Sequence, residues 1–219
     1  VLEINSPGGS AVASDEIATA VRKANKPVIT VIREAGASGG YWIASSTDYI
    51  IANKMSITGS IGVISSYLEF SGLMEKYGVE YERLVAGDRK DIGTPLRDMN
   101  NEERQILQKK LDRIHEFFIE EVARNRNMSI TDVRKLATGE FYLGVEAYEY
   151  GLIDQLGDLS TAEEYLKVTY GFESVEFLVY ERDPSLFDVL AGVSTEFSFT
   201  MGRGIAYQLQ EQPTALLLQ

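Results

Sequence analysis

Over residues 1–65 the chain changes its backbone signal every few residues, and this alternation limits the fold more than any other feature of the sequence. "VLEI" at the start is a short apolar strand, and "NSPGGS" after it is a turn. Asp15 to Ala24 then places Ile17, Ala20, Val21 and Ala24 at helical spacing. "PVITVI", from Pro27, is apolar and β-branched, as a strand covered on both faces would be. "SGGYWIASS" reads as a short helix, "DYIIAN" as a strand, and "GSIGVISSYLEF" as a further strand running into a helix start. Strand–helix–strand repetition at this spacing implies an α/β fold with parallel pairing and right-handed crossovers.

From Asn100 to about Arg126 the pattern becomes one long helix. Asn100 and Glu103 have capping-box spacing, and Ile106, Leu107, Leu111, Ile114, Phe118 and Val122 form a stripe of period near 3.6. Ser129 with Asp132 caps a shorter helix, Gly144 to Tyr150 is another closed by Gly151, and a last helix covers about Thr161 to Val168. "VEFLVYE", from Val175, reads as a strand, and the remaining residues, ending in "ALLLQ", are less regular.

Composition narrows the function classes. The net charge of -12 argues against nucleic acid as a partner. With no cysteine among 219 residues, disulfides, zinc thiolates and a cysteine nucleophile are excluded. No apolar run approaches the ~18 residues that span a bilayer. "VLEIN" begins as a strand with nothing before it, so the expectation is a piece of a longer protein with further strands and a membrane anchor upstream.

Two glycine turns, "NSPGG" and "GASGG", each follow an apolar strand. In a parallel sheet the carboxyl ends of the strands face one crevice, where ligands bind. Ser38 offers a hydroxyl there. The backbone N–H groups of Gly8 and Gly39, near helix starts, suit an oxyanion hole for acyl transfer. Taken singly, each turn reads equally well as a tight turn, with Ser38 as a helix cap. A serine nucleophile also needs a base. The one histidine, His115, lies in the long helix and reads as a packing or surface residue. Lys90, in the loop "AGDRKDIGTPLRDM", is the better candidate. A lysine is a base only when neutral, so its site must favour the uncharged amine, and a pairing with Asp88 or Asp91 would oppose that.

The blocks "NSPGGS", "GASGGYWIAS", "TGSIGV", "AGDRKDIGTPLRDMNNEE" and "GEFYLGVEAYEYGLIDQLG" occur in an order and spacing that resemble the signal peptide peptidase A family, membrane-anchored Ser–Lys peptidases of the Clp-protease/crotonase superfamily. The resemblance runs from Val1 to about Leu166. It implies a Clp-protease/crotonase-like superhelix of repeated β-β-α units with a parallel sheet, in a peptidase domain over 1–168 followed by a C-terminal extension over 169–219. It assigns Ser38 as nucleophile, Lys90 as general base, Ser60 as the hydroxyl that aims the lysine amine, and Gly8 and Gly39 as oxyanion donors.

The resemblance further implies a serine endopeptidase acting on peptides, remnant signal peptides among them, with no metal and no organic cofactor. The expected substrate is an extended peptide lying beside Gly9 and Ser10 on one side and Ile61, Gly62 and Val63 on the other. The expected assembly is a ring-like homo-oligomer whose sites are shared between subunits. Its membrane association would run through a segment outside this chain, with the catalytic domain extracytoplasmic. The competing readings are a crotonase-like acyl-CoA enzyme, a non-catalytic scaffold on a peptidase fold, and a Ser–His–Asp peptidase using His115.

Overall fold

A computed structural model describes residues 1–180. Val1–Val175 forms one compact unit, and a second, Glu176–Gln219, falls almost wholly outside the described residues, as does "ALLLQ". The elements are β1 (Leu2–Ser6), α1 (Ala11–Arg22), β2 (Ile29–Ala37), α2 (Gly39–Ser45), β3 (Tyr49–Ala52), β4 (Ile57–Gly59), α3 (Ser71–Lys76), α4 (Asn101–Asn125), α5 (Ile130–Leu136), β5 (Phe141–Leu143), α6 (Gly144–Glu149), β6 (Gln155–Leu156) and α7 (Leu159–Tyr170).

The fold is mixed α/β, and its curled six-stranded sheet is organised by β2. β1 pairs in parallel along one edge of β2, from Leu2↔Thr30 to Ser6↔Gly36. The other edge is divided. Its first half pairs with β3 (Ile29↔Tyr49 to Ile32↔Ala52), and its last three residues pair with β4 (Ala35↔Ile57 to Ala37↔Gly59). Between the two halves the β1–β2 register shifts, and Arg33 and Glu34 bulge into solvent. The hydroxyl of Ser56 donates to the Arg33 carbonyl, satisfying an acceptor that the ladder leaves unpaired there. β6 extends the parallel set beside β3, and β5 pairs with β4 antiparallel.

Both faces of β2 are covered, as its apolar run predicts. Ile32, Ile50 and Ala52 join Ile4, Tyr41, Phe118, Ile119, Val122 and Leu152 in the larger core, under α2, α4 and α6. The alternate residues Ile29, Val31 and Ile51 face Ala162 and the flanking Tyr165 and Leu166 of α7. Each buried Ile contributes roughly 1.5–3 kcal/mol relative to exposure. The capping box forms as the sequence predicts: the Glu103 N–H donates to Asn100 Oδ1 at 2.9 Å, and the Asn100 N–H donates to Glu103 Oε2 at 3.0 Å. Only the carboxyl half of α4 enters the core. Ile106, Leu107, Leu111 and Ile114 of the expected stripe stay half-buried.

Three elements differ from the sequence expectation. The helix expected from Asp15 starts at Ala11, and it buries Ser14 and Ala18 while Ile17 stays exposed. Small residues face inward because the start of α2 approaches closely there. The strand expected in "GSIGVISSYLEF" lies earlier, at Ile57–Gly59, because Gly59 and Ser60 both turn to positive φ (70° and 50°) and end the extended run. Val175 to Tyr180 forms no strand, having no paired neighbour among the described residues.

α2 is fastened at its middle. The Tyr41 hydroxyl donates to the Leu152 carbonyl at 2.7 Å, and burial pushes that phenol up from its ordinary value. Trp42 stacks on Phe118 with ring centroids 4.6 Å apart, yet its buried indole N–H has no partner among the described residues. Trp42→Phe keeps a ring against Phe118 and removes an unpaired donor, so it is expected to cost less than about 1.5 kcal/mol. Trp42→Ala is expected to cost about 3–5 kcal/mol. Urea unfolding of the two variants beside the parent measures the difference.

Candidate active site

β2 and β4 end side by side. Because Ala37 pairs with Gly59, the next residues, Ser38 and Ser60, leave adjacent parallel strands together. Both depart at positive φ, 51° for Ser38 and 50° for Ser60, a region that serine rarely adopts. Such a residue costs on the order of 1–3 kcal/mol and persists only where its surroundings impose it. Here they do: the Ser38 N–H donates to the Gly59 carbonyl at 2.8 Å, and the Ser60 N–H donates to the Glu140 carbonyl at 2.9 Å. Thr58 adds a side-chain bond from its hydroxyl to the Gly36 carbonyl at 2.8 Å, across the same pair of strands.

Ser38 is the N-cap of α2 and is half-buried between buried neighbours. Its carbonyl accepts from the Trp42 N–H at 2.9 Å, while the hydroxyl makes no hydrogen bond among the described residues. The "NSPGG" turn packs directly on this corner. A β-carbon placed on Gly8 would lie 2.8 Å from Ser38 Cβ and 3.0 Å from the Gly39 nitrogen. One placed on Gly39 would strike Ser14 Oγ of α1. Glycine at both positions is therefore a condition of bringing the two turns together. Gly39 is the first residue of α2, where backbone N–H groups have no intrahelical acceptor. The Gly8 N–H donates to Ser6 Oγ at 3.2 Å, so this donor is held by a side chain that a ligand can displace.

The Ser60 hydroxyl donates to the Gly139 carbonyl at 3.2 Å. Its one hydrogen is thus engaged, and its lone pairs remain to accept from an amine. No local motif marks Gly139 and Glu140 for a role at this corner, although both open the block "GEFYLGVEAYEYGLIDQLG". A glycine at φ 86° beside a β-strand was the available signal, but its partner lies 79 residues away.

Two substrate-side expectations sit differently. Ser10 is the N-cap of α1, so "SAV" opens a helix rather than an extended edge. Ile61 is fully buried, and its carbonyl is taken by the Gly139 N–H at 3.1 Å and by His115 Nε2 at 3.2 Å. Ile61 therefore anchors the loop and cannot offer that carbonyl to a peptide. Gly62 and Val63 are half-buried and outside any strand, and Gly9 lies in the turn against the Gly39 corner. His115 makes no bond to Ser38.

Lys90 lies elsewhere in the chain's bonding. It sits in successive tight turns, with its N–H donating to the Gly87 carbonyl at 3.0 Å. Its side chain is exposed and makes no ion pair or hydrogen bond among the described residues. The open cavity it lines, with Asp88, Arg89, Asn100, Glu102 and Glu103, contains neither Ser38 nor Ser60. The adjacent carboxylate is occupied. Asp91 accepts from Arg83 at 2.8 and 2.9 Å and from Arg97 at 2.7 and 3.1 Å, and these guanidinium groups hold its carboxyl well below the usual carboxylate range. The structure thus brings Ser38, Ser60, Gly8 and Gly39 to one corner. Lys90 is not joined to it within the chain. No group of His, Cys, Asp or Glu suited to hold a metal ion occurs among the described residues.

A family model described as peptidase family S49 matches residues 20–172. The chain belongs to peptidase family S49. This S49 chain is 36% identical over 209 residues to a protein of Methanocaldococcus jannaschii named as a protease, covering 94% of this chain and 66% of that one. It is 38% identical over 190 residues to a protein of Enterococcus faecium named as signal peptide peptidase SppA, covering 85% of this chain and 55% of that one. With the chloroplastic serine protease SPPA of Arabidopsis thaliana it shares 31% identity over 202 residues, 89% of this chain and 30% of the relative. The S49 chain therefore spans less than two thirds of the length of each of these relatives.

The packing of Gly8 against Ser38 gives a direct stability test. Gly8→Ala adds a carbon 2.8 Å from Ser38 Cβ at a backbone φ of 115°, and a loss of about 1–3 kcal/mol is expected. Ser38→Ala keeps its β-carbon and is expected to stay within about 0.5 kcal/mol of the parent. Chemical denaturation reads both.

Proposed function

We propose that this S49 chain carries the catalytic domain of a serine endopeptidase with a Ser38–Lys90 dyad. The observation that carries the reading is the corner at the end of β2 and β4. A strained serine with an unbonded hydroxyl stands there beside two close glycine turns and a second strained serine with free lone pairs. In the proposed reaction, neutral Lys90 removes the Ser38 Oγ proton as Oγ bonds to the substrate carbonyl carbon. The N–H groups of Gly8 and Gly39 receive the developing oxyanion. Collapse breaks the C–N bond, and the proton on Lys90 passes to the leaving amine. Water then attacks the acyl-Ser38 ester with Lys90 again as base, releasing the carboxylate product and restoring the serine. Ser60 accepts one N–H of the amine and so aims its lone pair.

The same proposal covers the wider setting. The substrates are extended peptides, remnant signal peptides among them. The assembly is a ring-like homo-oligomer in which Lys90 of one copy completes the site of another. Its support is the lack of any bond between Lys90 and the Ser38 corner within one chain, together with the exposed apolar side chains of Ile64, Leu68, Leu73, Tyr77 and Leu84 that precede the lysine loop. The domain plan is a peptidase domain over 1–168 with a C-terminal extension, in a β-β-α superhelix; α7 crosses residue 168 and ends at Tyr170. A membrane anchor outside this chain and an extracytoplasmic position complete it. No helix among the described residues is long and apolar enough to cross a membrane.

Peptide hydrolysis measured from about pH 6 to about 11 tests the dyad. The parent is expected to show a rate rising on the alkaline side as the amine loses its proton. Ser38→Ala and Lys90→Ala are each expected to lose on the order of 10³-fold or more. Retained turnover in Lys90→Ala would remove lysine as the base, and loss of turnover in His115→Ala alone would point to the histidine instead. A fluorophosphonate label on Ser38 separates the dyad from acyl-CoA chemistry, which needs no serine nucleophile.

A further inference from the structure

Three hydrogen bonds in succession lead from α4 to the hydroxyl of Ser60. His115 Nε2 lies 3.2 Å from the Ile61 carbonyl oxygen. That carbonyl also receives the Gly139 N–H at 3.1 Å, and the Gly139 carbonyl receives the Ser60 hydroxyl at 3.2 Å. The same segment restrains the Ser60 backbone, through the Glu140 carbonyl at 2.9 Å. A carbonyl oxygen only accepts, so His115 Nε2 carries the hydrogen and donates it. That nitrogen has no lone pair with which to serve as a base.

The backbone on either side of this path has little else to hold it. Ile61 is fully buried, but Gly62 after it brings no side chain to fix the peptide plane that carries the Ile61 carbonyl. Opposite, Thr138, Gly139 and Glu140 are exposed and belong to no helix or strand. The two stretches lie so close that a β-carbon on Gly62 would come within 2.8 Å of Gly139 Cα, so a shift in one displaces the other. Exposed hydrogen bonds of this kind open at low cost unless a packed element holds one end. His115 supplies the hold. It is half-buried on α4, whose next turns enter the core through Phe118, Ile119 and Val122.

We propose that His115 is a positioning residue for Ser60: its Nε2–H fixes the Ile61 carbonyl, which fixes the Gly139–Glu140 segment that takes the Ser60 hydroxyl hydrogen. This rests on the role proposed for Ser60, whose lone pairs are to accept from the Lys90 amine. A hydroxyl has one hydrogen and rotates it toward whichever acceptor is in place. With the Gly139 carbonyl held, that hydrogen is committed and the lone pairs are left for an N–H donor. With the segment loosened, the hydroxyl turns freely and the amine loses a fixed acceptor. The histidine thus acts as a donor, and an amide donor of similar reach can replace it.

Substitutions at this position separate donor from packing and from base. Glutamine carries an N–H near the place of Nε2–H, asparagine is polar but shorter, and leucine fills space without a donor. His115→Leu and His115→Asn are each expected to lower kcat for peptide hydrolysis about three- to tenfold, the worth of one neutral hydrogen bond, with KM unchanged within about twofold. His115→Gln is expected to stay within about twofold of the parent. Placed on Ser60→Ala, His115→Leu is expected to change kcat by less than about twofold, because the hydroxyl it directs is gone. Amide hydrogen exchange followed by NMR on the full chain reads the link without turnover. The Gly139 N–H is expected to exchange at least about tenfold faster in His115→Asn than in His115→Gln, with Val122 alike in both. Equal Gly139 exchange in the two variants overturns the proposal. So does a kcat loss that His115→Gln shares, which fits a histidine base, and so does a loss that adds in full to that of Ser60→Ala. A raised KM at constant kcat overturns it in favour of a hold on Gly62 and Val63 for the peptide. Failure of the dyad reading looks different: Lys90→Ala and Ser60→Ala would hydrolyse peptide as the parent does, and the proposal would fall with the role of Ser60 while Gly139 exchange still separated asparagine from glutamine.

Discussion

The 2.8 Å bond from the Ser38 N–H to the Gly59 carbonyl closes the last step of the β2–β4 ladder, and the arrangement of the corner follows from it. β2 is long enough to give one edge to β1 and to divide the other between β3 and β4. The division falls at the bulge of Arg33 and Glu34, between the residues that pair with β3 and those that pair with β4. Ser56 fills the polar gap this leaves. β4 can then run three residues beside the end of β2 and deliver Ser60 next to Ser38. With the ladder ended at that point, both serines turn to positive φ as they leave the adjacent strand ends.

The corner and the lysine loop are held by different physics. Around Ser38 the restraints are backbone hydrogen bonds and steric fit, buried and insensitive to salt. Gly8 and Gly39 are there because a β-carbon at either position would meet a neighbouring element. Around Lys90 the restraints are ion pairs between partly exposed side chains, which pin a succession of turns that has little apolar anchoring of its own. Bidentate pairs from Arg83 and Arg97 occupy both oxygens of Asp91, the carboxylate next to Lys90 in sequence.

Much of this was legible in the residues. The capping box at Asn100 and Glu103, the cap at Ser129, the short helix after Ser38 and the two-sided burial of β2 depend on interactions within a few residues or on a simple period, and they formed where the sequence placed them. The displaced elements were those whose signal was apolar content alone. "IGVIS" has strand composition, but the turn at Gly59 and Ser60 breaks the backbone before it. "VEFLVYE" has strand composition and no partner among the described residues. Ile17 is apolar at the right helical spacing, yet the side of α1 that meets α2 has room only for Ser14 and Ala18.

By itself the sequence determined the local geometry: where helices start, which strand is covered on both faces, and which turns need glycine, since these follow from backbone sterics and short-range hydrogen bonds. It also presented Ser38, Ser60 and Lys90 in blocks whose order points to one family. Tertiary structure alone decided which carbonyls receive the N–H groups and hydroxyls of the corner. Gly59 for Ser38, and Gly139 and Glu140 for Ser60, come from strands paired across long stretches of chain, and no local pattern encodes a register. It also decided that Asp91 belongs to Arg83 and Arg97 rather than to the lysine beside it. In sequence all three arginine and lysine partners are close enough to compete, and only the folded loop fixes which of them has the geometry to win.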